Sequence, residues 1–95
     1  MRKYEMLYIV QPDLDEEQIN GLQEKVAAII GEQGGQVGEV KQWGKRHFAY
    51  EIADFSDGNY IELHFEGTPQ VVAELDRVIK ITEGILRHII VRVDE

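Results

Sequence analysis

The chain contains no cysteine. That absence excludes a disulfide scaffold and any thiolate-ligated metal site. No apolar run approaches the roughly 20 residues that span a bilayer. The opening Met1-Arg2-Lys3-Tyr4-Glu5 is not followed by the apolar core of a signal peptide. The expectation is a soluble, cytoplasmic protein with no membrane partner. Positive charge is also scarce. Ten Lys and Arg stand against eighteen Asp and Glu, a formal net charge of −8. A polyanion repels a polyanion, so this sum taken alone argues against a nucleic-acid ligand.

Catalytic and cofactor signatures are missing as well. A phosphate-binding loop needs glycines and a cation ahead of a helix, where backbone N–H groups can cradle an anion. The loop that precedes the first predicted helix reads Gln11-Pro12-Asp13-Leu14-Asp15-Glu16-Glu17, and its carboxylates repel phosphate. The glycines at 31, 34, 35 and 38 follow a helix instead, where the dipole has the wrong sign, and they read as a turn. His47, His64 and His88 have no histidine or cysteine at metal-ligand spacing and read as strand surface residues. No serine or lysine sits in a nucleophile motif. The sequence therefore predicts no enzyme, no cofactor, no metal and no small-molecule substrate.

What is present is the pattern of one small α+β domain covering residues 1–95. Apolar residues make up 43% of the chain and charged residues 29%, an ordinary globular composition. Residues 2–10 read as a strand. Tyr4, Met6, Tyr8 and Val10 alternate with Glu5, Leu7 and Ile9, so both faces are largely apolar and the strand is central. Asp15 is the N-cap of a helix of about 18 residues, with Gln18 as its capping-box partner. Ile19, Leu22, Val26, Ile29 and Ile30 form its apolar stripe, and Gly34-Gly35 ends it. Residues 36–52 read as a second strand. Extended, they would span roughly 55 Å, too long for this domain. Gly38 or Gly44 then marks a bulge or bend. The parity assigned to this strand turns Phe48, Tyr50 and Ile52 inward and Trp43, Lys45 and His47 outward. Asp57-Gly58 reads as the centre of a hairpin turn over residues 54–59. Tyr60–Glu66 is the third strand, with Ile61, Leu63 and Phe65 buried. Thr68-Pro69 opens a second helix with Val72, Leu75 and Ile79 inward. Ile85–Val93 is the last strand.

Two strand–helix–strand units in this order predict a ferredoxin-like βαββαβ sandwich. Right-handed crossovers put both helices on one face of a four-stranded antiparallel sheet and leave the other face open. The charge is distributed unevenly along this order. Residues 11–35 hold six acids and one base, Lys25. Residues 41–47 hold Lys41, Lys45 and Arg46 with no acid. Residues 77–92 hold Arg77, Lys80, Arg87 and Arg92 against Glu83. One part of the chain is acidic and two later parts are locally basic.

The segment Gly44-Lys45-Arg46-His47-Phe48-Ala49-Tyr50-Glu51-Ile52 resembles the signature of the family of the sixth protein of the bacterial small ribosomal subunit. Phe48 stands where that family usually has leucine. Asp54 stands where it often has a lysine, a departure that bears on one expected cationic contact. The opening Met1–Glu5 and the segment Ile85–Arg92 are similar to the same family, and the resemblance runs over essentially all 95 residues. It implies a ferredoxin-like fold, in agreement with the element order. It also implies a ribosome-associated structural constituent of the small subunit. Such a constituent binds the central domain of the small-subunit ribosomal RNA together with a small basic ribosomal protein, the eighteenth of that subunit. On this reading Arg2, Lys3, Lys45, Arg46, Arg87 and Arg92 contact the RNA backbone, each a cation on or beside a strand. Tyr4, Trp43 and Tyr60 stack on bases or pack on the partner, or else simply pack within the sheet. Two rivals share the topology. An RNA-recognition-motif sheet needs aromatics on its third strand, where this chain has Glu62 and Glu66. A regulatory or homodimeric ligand-binding domain would cover Leu7, Ile9, Ile89 and Val91 with a second copy.

Overall fold

Six elements follow one another along the chain in the computed structural model, which describes residues 1–93. They are β1 (Arg2–Val10), α1 (Glu16–Glu32), β2 (Gln36–Ile52), β3 (Phe55–Gly67), α2 (Pro69–Lys80) and β4 (Ile85–Arg92). The four strands form one antiparallel sheet in the order β2-β3-β1-β4. This is the predicted ferredoxin-like sandwich.

The helix ends are built as the sequence dictates. The Asp15 carboxylate accepts a hydrogen bond from the Gln18 backbone N–H at 2.8 Å. The Gln18 side-chain oxygen accepts from the Asp15 N–H at 3.0 Å. The two contacts satisfy donors that the first turn of a helix leaves unpaired. At the other end Gly35 N–H donates to Ile30 O and Gly34 N–H to Gly31 O. That is the Schellman arrangement, and Gly34 takes the left-handed φ of 87° it needs. Pro69 occupies the start of α2, where its missing N–H costs nothing.

The core lies between the helices and one face of the sheet. Met6, Tyr8 and Val10 of β1 meet Ile61, Leu63 and Phe65 of β3 beneath Val26, Ile29 and Ile30 of α1 and Val71, Leu75 and Ile79 of α2. Each fully buried aliphatic side chain contributes about 1.5–3 kcal/mol. Burial pushes the Tyr8 hydroxyl up to about 12, so it stays protonated throughout the physiological range. On β4, His88 Nε2 lies 2.7 Å from Asp76 Oδ1 of α2, and Lys80 Nζ lies 2.9 Å from Asp76 Oδ2. These contacts pin the last strand to the second helix at the rim of the core.

The hairpin between β2 and β3 differs from the prediction. The turn is Ala53-Asp54, with φ of 51° and 70°, and it joins Ile52 to Phe55. Positive φ at both central residues is the geometry of a type I′ turn, whose twist matches that of the strands. Asp57 and Gly58 instead lie inside β3, opposite His47 and Arg46. Gly58 is needed there because of crowding. A Cβ at that position would come within 2.6 Å of Ile9 Cγ2, 2.9 Å of Val10 O and 3.1 Å of Phe48 Cζ. The Asp-Gly pair thus marks a close approach of strands rather than a turn.

Gly58→Ala lowers stability by about 1–3 kcal/mol, because the added methyl meets backbone as well as side chain. Urea denaturation measures it, and an unchanged midpoint would refute the crowding account. The contact with Lys80, then that with His88, holds the Asp76 carboxyl below the usual carboxylate range. A depressed native value stabilises the fold above the unfolded carboxylate value and loses that stabilisation as the pH falls through the native one. Asp76→Asn therefore costs stability at neutral pH, by under about 1 kcal/mol for so exposed a group. Unfolding curves of the two proteins should converge only in acid, once the pH has fallen below the ordinary carboxylate range.

Candidate nucleic-acid and protein interface

The face of the sheet away from the helices is assembled from the strand register. Gly44, Tyr60, Ile9 and Arg87 form one cross-strand row. Lys41, Glu62, Leu7 and Ile89 form the next. His64, Glu5 and Val91 follow, then Gln36, Glu66 and Lys3. Side chains directly opposite one another on adjacent strands share a face, so these rows define what the open surface presents.

At the hairpin end the surface is aromatic. Trp43 stacks on Tyr60 with ring centroids 6.0 Å apart and planes at 14°. Phe48 also packs on Tyr60, with centroids 6.2 Å apart and planes tilted by 45°. The Trp43 indole N–H donates to Glu62 Oε1 at 3.1 Å. Beneath this group Ile9 is only 7% exposed although it lies on the open face. A shallow depression here is lined by Ile9, Phe48, Tyr50, Tyr60 and Arg87. Beyond it Ile89 and Val91 are exposed, at 57% and 44%.

The parity predicted for β2 does not hold. Trp43 and Phe48 lie on the same face, and Tyr50 is 71% exposed rather than inward. The register shifts three times along β2, between Val37 and Val40, between Gln42 and Gly44, and again between His47 and Ile52 ahead of the turn. Both candidate glycines thus mark irregularities. Gly44, at a left-handed φ of 85°, takes the second shift. A one-residue shift turns every later side chain to the other face. That is why an odd-numbered and an even-numbered aromatic meet on Tyr60. Lys45 is accordingly opposite Asn59, on the helix side of the sheet.

The predicted cations fall into two groups. Lys45, Arg46 and Arg87 are exposed near the hairpin end. Arg2, Lys3 and Arg92 are exposed near the opposite end, where Arg2 pairs with Gly67, Lys3 with Glu66 and Arg92 with Tyr4. The six residues of β1 that separate the two ends span about 20 Å. Within each group the residues divide between faces: Lys3, Arg46 and Arg87 are on the open side, and Arg2, Lys45 and Arg92 on the helix side.

Among the predicted aromatics, Trp43 and Tyr60 share the open face. Tyr4 does not. It is 7% exposed, faces the helices and stacks on Phe65 at 5.4 Å. It is a core residue and cannot stack on a base. The reason is register: Tyr4 shares its face with Met6 and Tyr8, and that is the face the helices cover. Phe48 and Tyr50 were missed as surface aromatics. Only the glycine bulge could have signalled them, since their placement depends on it.

An irregular edge strand and an aromatic open face on this sandwich have counterparts among known proteins. The family model described as ribosomal protein S6 matches residues 3–92. The chain belongs to the ribosomal protein S6 family. The small ribosomal subunit protein bS6 of Syntrophomonas wolfei is 47% identical over 96 residues, covering 100% of this chain and 99% of that protein. Its counterpart in Moorella thermoacetica is 43% identical over 95 residues, covering 100% and 97%. The crystal structure of 30S ribosomal protein S6 from Thermotoga maritima superposes with a TM-score of 0.90 at 35% identity, over 97% of this chain and 87% of that one. The family is a structural component of the small ribosomal subunit and not an enzyme, which makes the chain a cytoplasmic, ribosome-associated protein.

The two tyrosines give a direct test of the assignment to faces. Tyr4→Ala removes a buried ring and costs about 3–5 kcal/mol of stability. Tyr60→Ala opens a half-exposed cluster and costs distinctly less. Paired urea denaturation curves measure the difference, and equal losses would contradict it.

Proposed function

We propose that the protein binds the central domain of the small-subunit ribosomal RNA jointly with a small basic protein, the eighteenth of the same subunit. The observation that carries this reading is the open face itself. An aromatic and aliphatic surface is bordered at its hairpin end by Arg46 and Arg87 and at the other end by Lys3. Leu7, Ile9, Ile89 and Val91 make an apolar strip along β1 and β4 on this face, and soluble monomers rarely leave such a strip uncovered without a use for it.

The charge pattern supports a division of labour. Contacts to phosphate position a protein on RNA and need cations, preferably arginine with its bidentate fork. Lys45, Arg46 and Arg87 supply them at one end of the sheet, and Arg2, Lys3 and Arg92 at the other. The centre of the open face carries Leu7, Ile9, Tyr60 and Ile89, suited to packing against a protein segment. Trp43 and Tyr60 offer ring faces to a base or to that segment. The net charge of −8 favours a basic partner. Opposite potentials steer the encounter and set its specificity. With such a partner in place, the acidic helix α1 no longer opposes RNA.

Filter binding of RNA to the two-protein assembly tests the reading. Arg46→Ala and Arg87→Ala each weaken binding by about tenfold. Each also lowers the slope of log K against log salt by about 1, the signature of one lost phosphate contact. Unchanged affinity together with an unchanged slope would overturn the cation assignment. Sedimentation addresses the partner. A stable homodimer with no affinity for the basic protein would favour self-association of the same face instead.

A further inference from the structure

A cluster that the RNA and partner reading does not use lies on the open face. Glu5 of β1 is directly opposite His64 of β3, and Glu62 is two residues before His64 on the same side. One ligand atom from each of the three residues lies within 4.8 Å of the other two. His64 Nε2 is 2.6 Å from Glu62 Oε2. The other Glu62 oxygen accepts the Trp43 indole N–H, a contact from outside the cluster that fixes the carboxylate plane. All three side chains are half-buried, and Glu5 has no ion-pair partner among the described residues.

We propose that Glu5, Glu62 and His64 form a binding site for a divalent first-row transition ion of the Zn2+ class. One imidazole nitrogen with two carboxylate oxygens is a donor set for such an ion. Magnesium and calcium prefer oxygen alone. Two carboxylates held this close repel each other, and a cation between them relieves that repulsion. An orienting hydrogen bond to a ligating carboxylate, here from Trp43, is the usual support of a metal site. Three protein donors leave further coordination positions open toward solvent. The strands supply the rigidity, since Glu5 and His64 are fixed by cross-strand pairing and Glu62 by the pleat of β3. Two cations share this face with the cluster: Lys3, two residues before Glu5, and Lys41, opposite Glu62, whose ammonium lies 3.8 Å from Glu39.

Trp43 is the only tryptophan and reports on the site directly. Its emission, followed while zinc chloride is added to the full chain, should change saturably, whereas magnesium chloride should have no effect. Calorimetry should give one zinc ion per chain. His64→Gln and Glu5→Gln each keep side-chain size and remove a donor, and each should weaken zinc binding by about tenfold or more. His47→Gln and His88→Gln should leave it unchanged. A flat emission trace with no calorimetric binding at millimolar zinc overturns the proposal. So does zinc affinity that survives both His64→Gln and Glu5→Gln. None of these readouts involves RNA or a protein partner, so the result is independent of the proposed ribosomal role.

Discussion

Burial of one face of the β1–β3 pair under two helices is the interaction on which the rest of this structure depends. Tyr4, Met6, Tyr8 and Val10 are opposite Phe65, Leu63, Ile61 and Asn59, and α1 and α2 close over them. Because both helices are used there, no element among the described residues remains to cover the other face. The other face must then be stabilised by its own side chains or by something outside the chain. The local answer is visible around Ile9, which Tyr60, Phe48 and Arg87 surround. The remainder, from Leu7 to Ile89 and Val91, is the surface proposed to receive a partner. Function follows from a shortage of helices relative to sheet.

The long β2–β3 arm is a second consequence. β2 has 17 residues and β3 has 13, whereas β1 has 9 and β4 has 8. The paired strands extend past the helix-covered core, and the molecule is 36 Å along its longest axis against 22 Å along its shortest. An arm of this kind carries exposed Lys45, Arg46 and Tyr50 without disturbing the core. The three register shifts in β2 also suit an edge strand. Bulges twist an edge away from regular pairing and so discourage unplanned strand addition.

Electrostatics divides along the same geometry. The acidic residues of α1 are on the helix layer, and the cations of β2 and β4 are on the sheet layer or at its ends. Within the sheet the Glu62 carboxyl is held below its usual range, first by the hydrogen bond to His64, and further by Trp43 and Lys41. Its negative charge therefore persists on a face otherwise bordered by cations. A chain can be acidic in sum and still present basic groups at the two ends of its sheet, because the acids of α1 lie on the helix that covers its middle.

Much of this was legible in the sequence, because it rests on local physics. The capping box at Asp15-Gln18, the glycine stop at 34–35, the proline start at 69 and the alternation in β1 and β3 depend on neighbours within a few residues. They determined the element order and with it the sandwich, and the Gly44–Ile52 motif pointed to the family. Three features were decided only by tertiary structure. The turn fell at Ala53-Asp54, because Gly58 was needed where β1 and Phe48 crowd β3. The face of every side chain after Gly44 depended on a bulge, since a single extra residue inverts a period of two. Tyr4 went to the core and Trp43 to the surface because the helices cover one side of the sheet. Which residue of an alternating pair is covered is settled by what packs on it, and that information lies in elements distant along the chain.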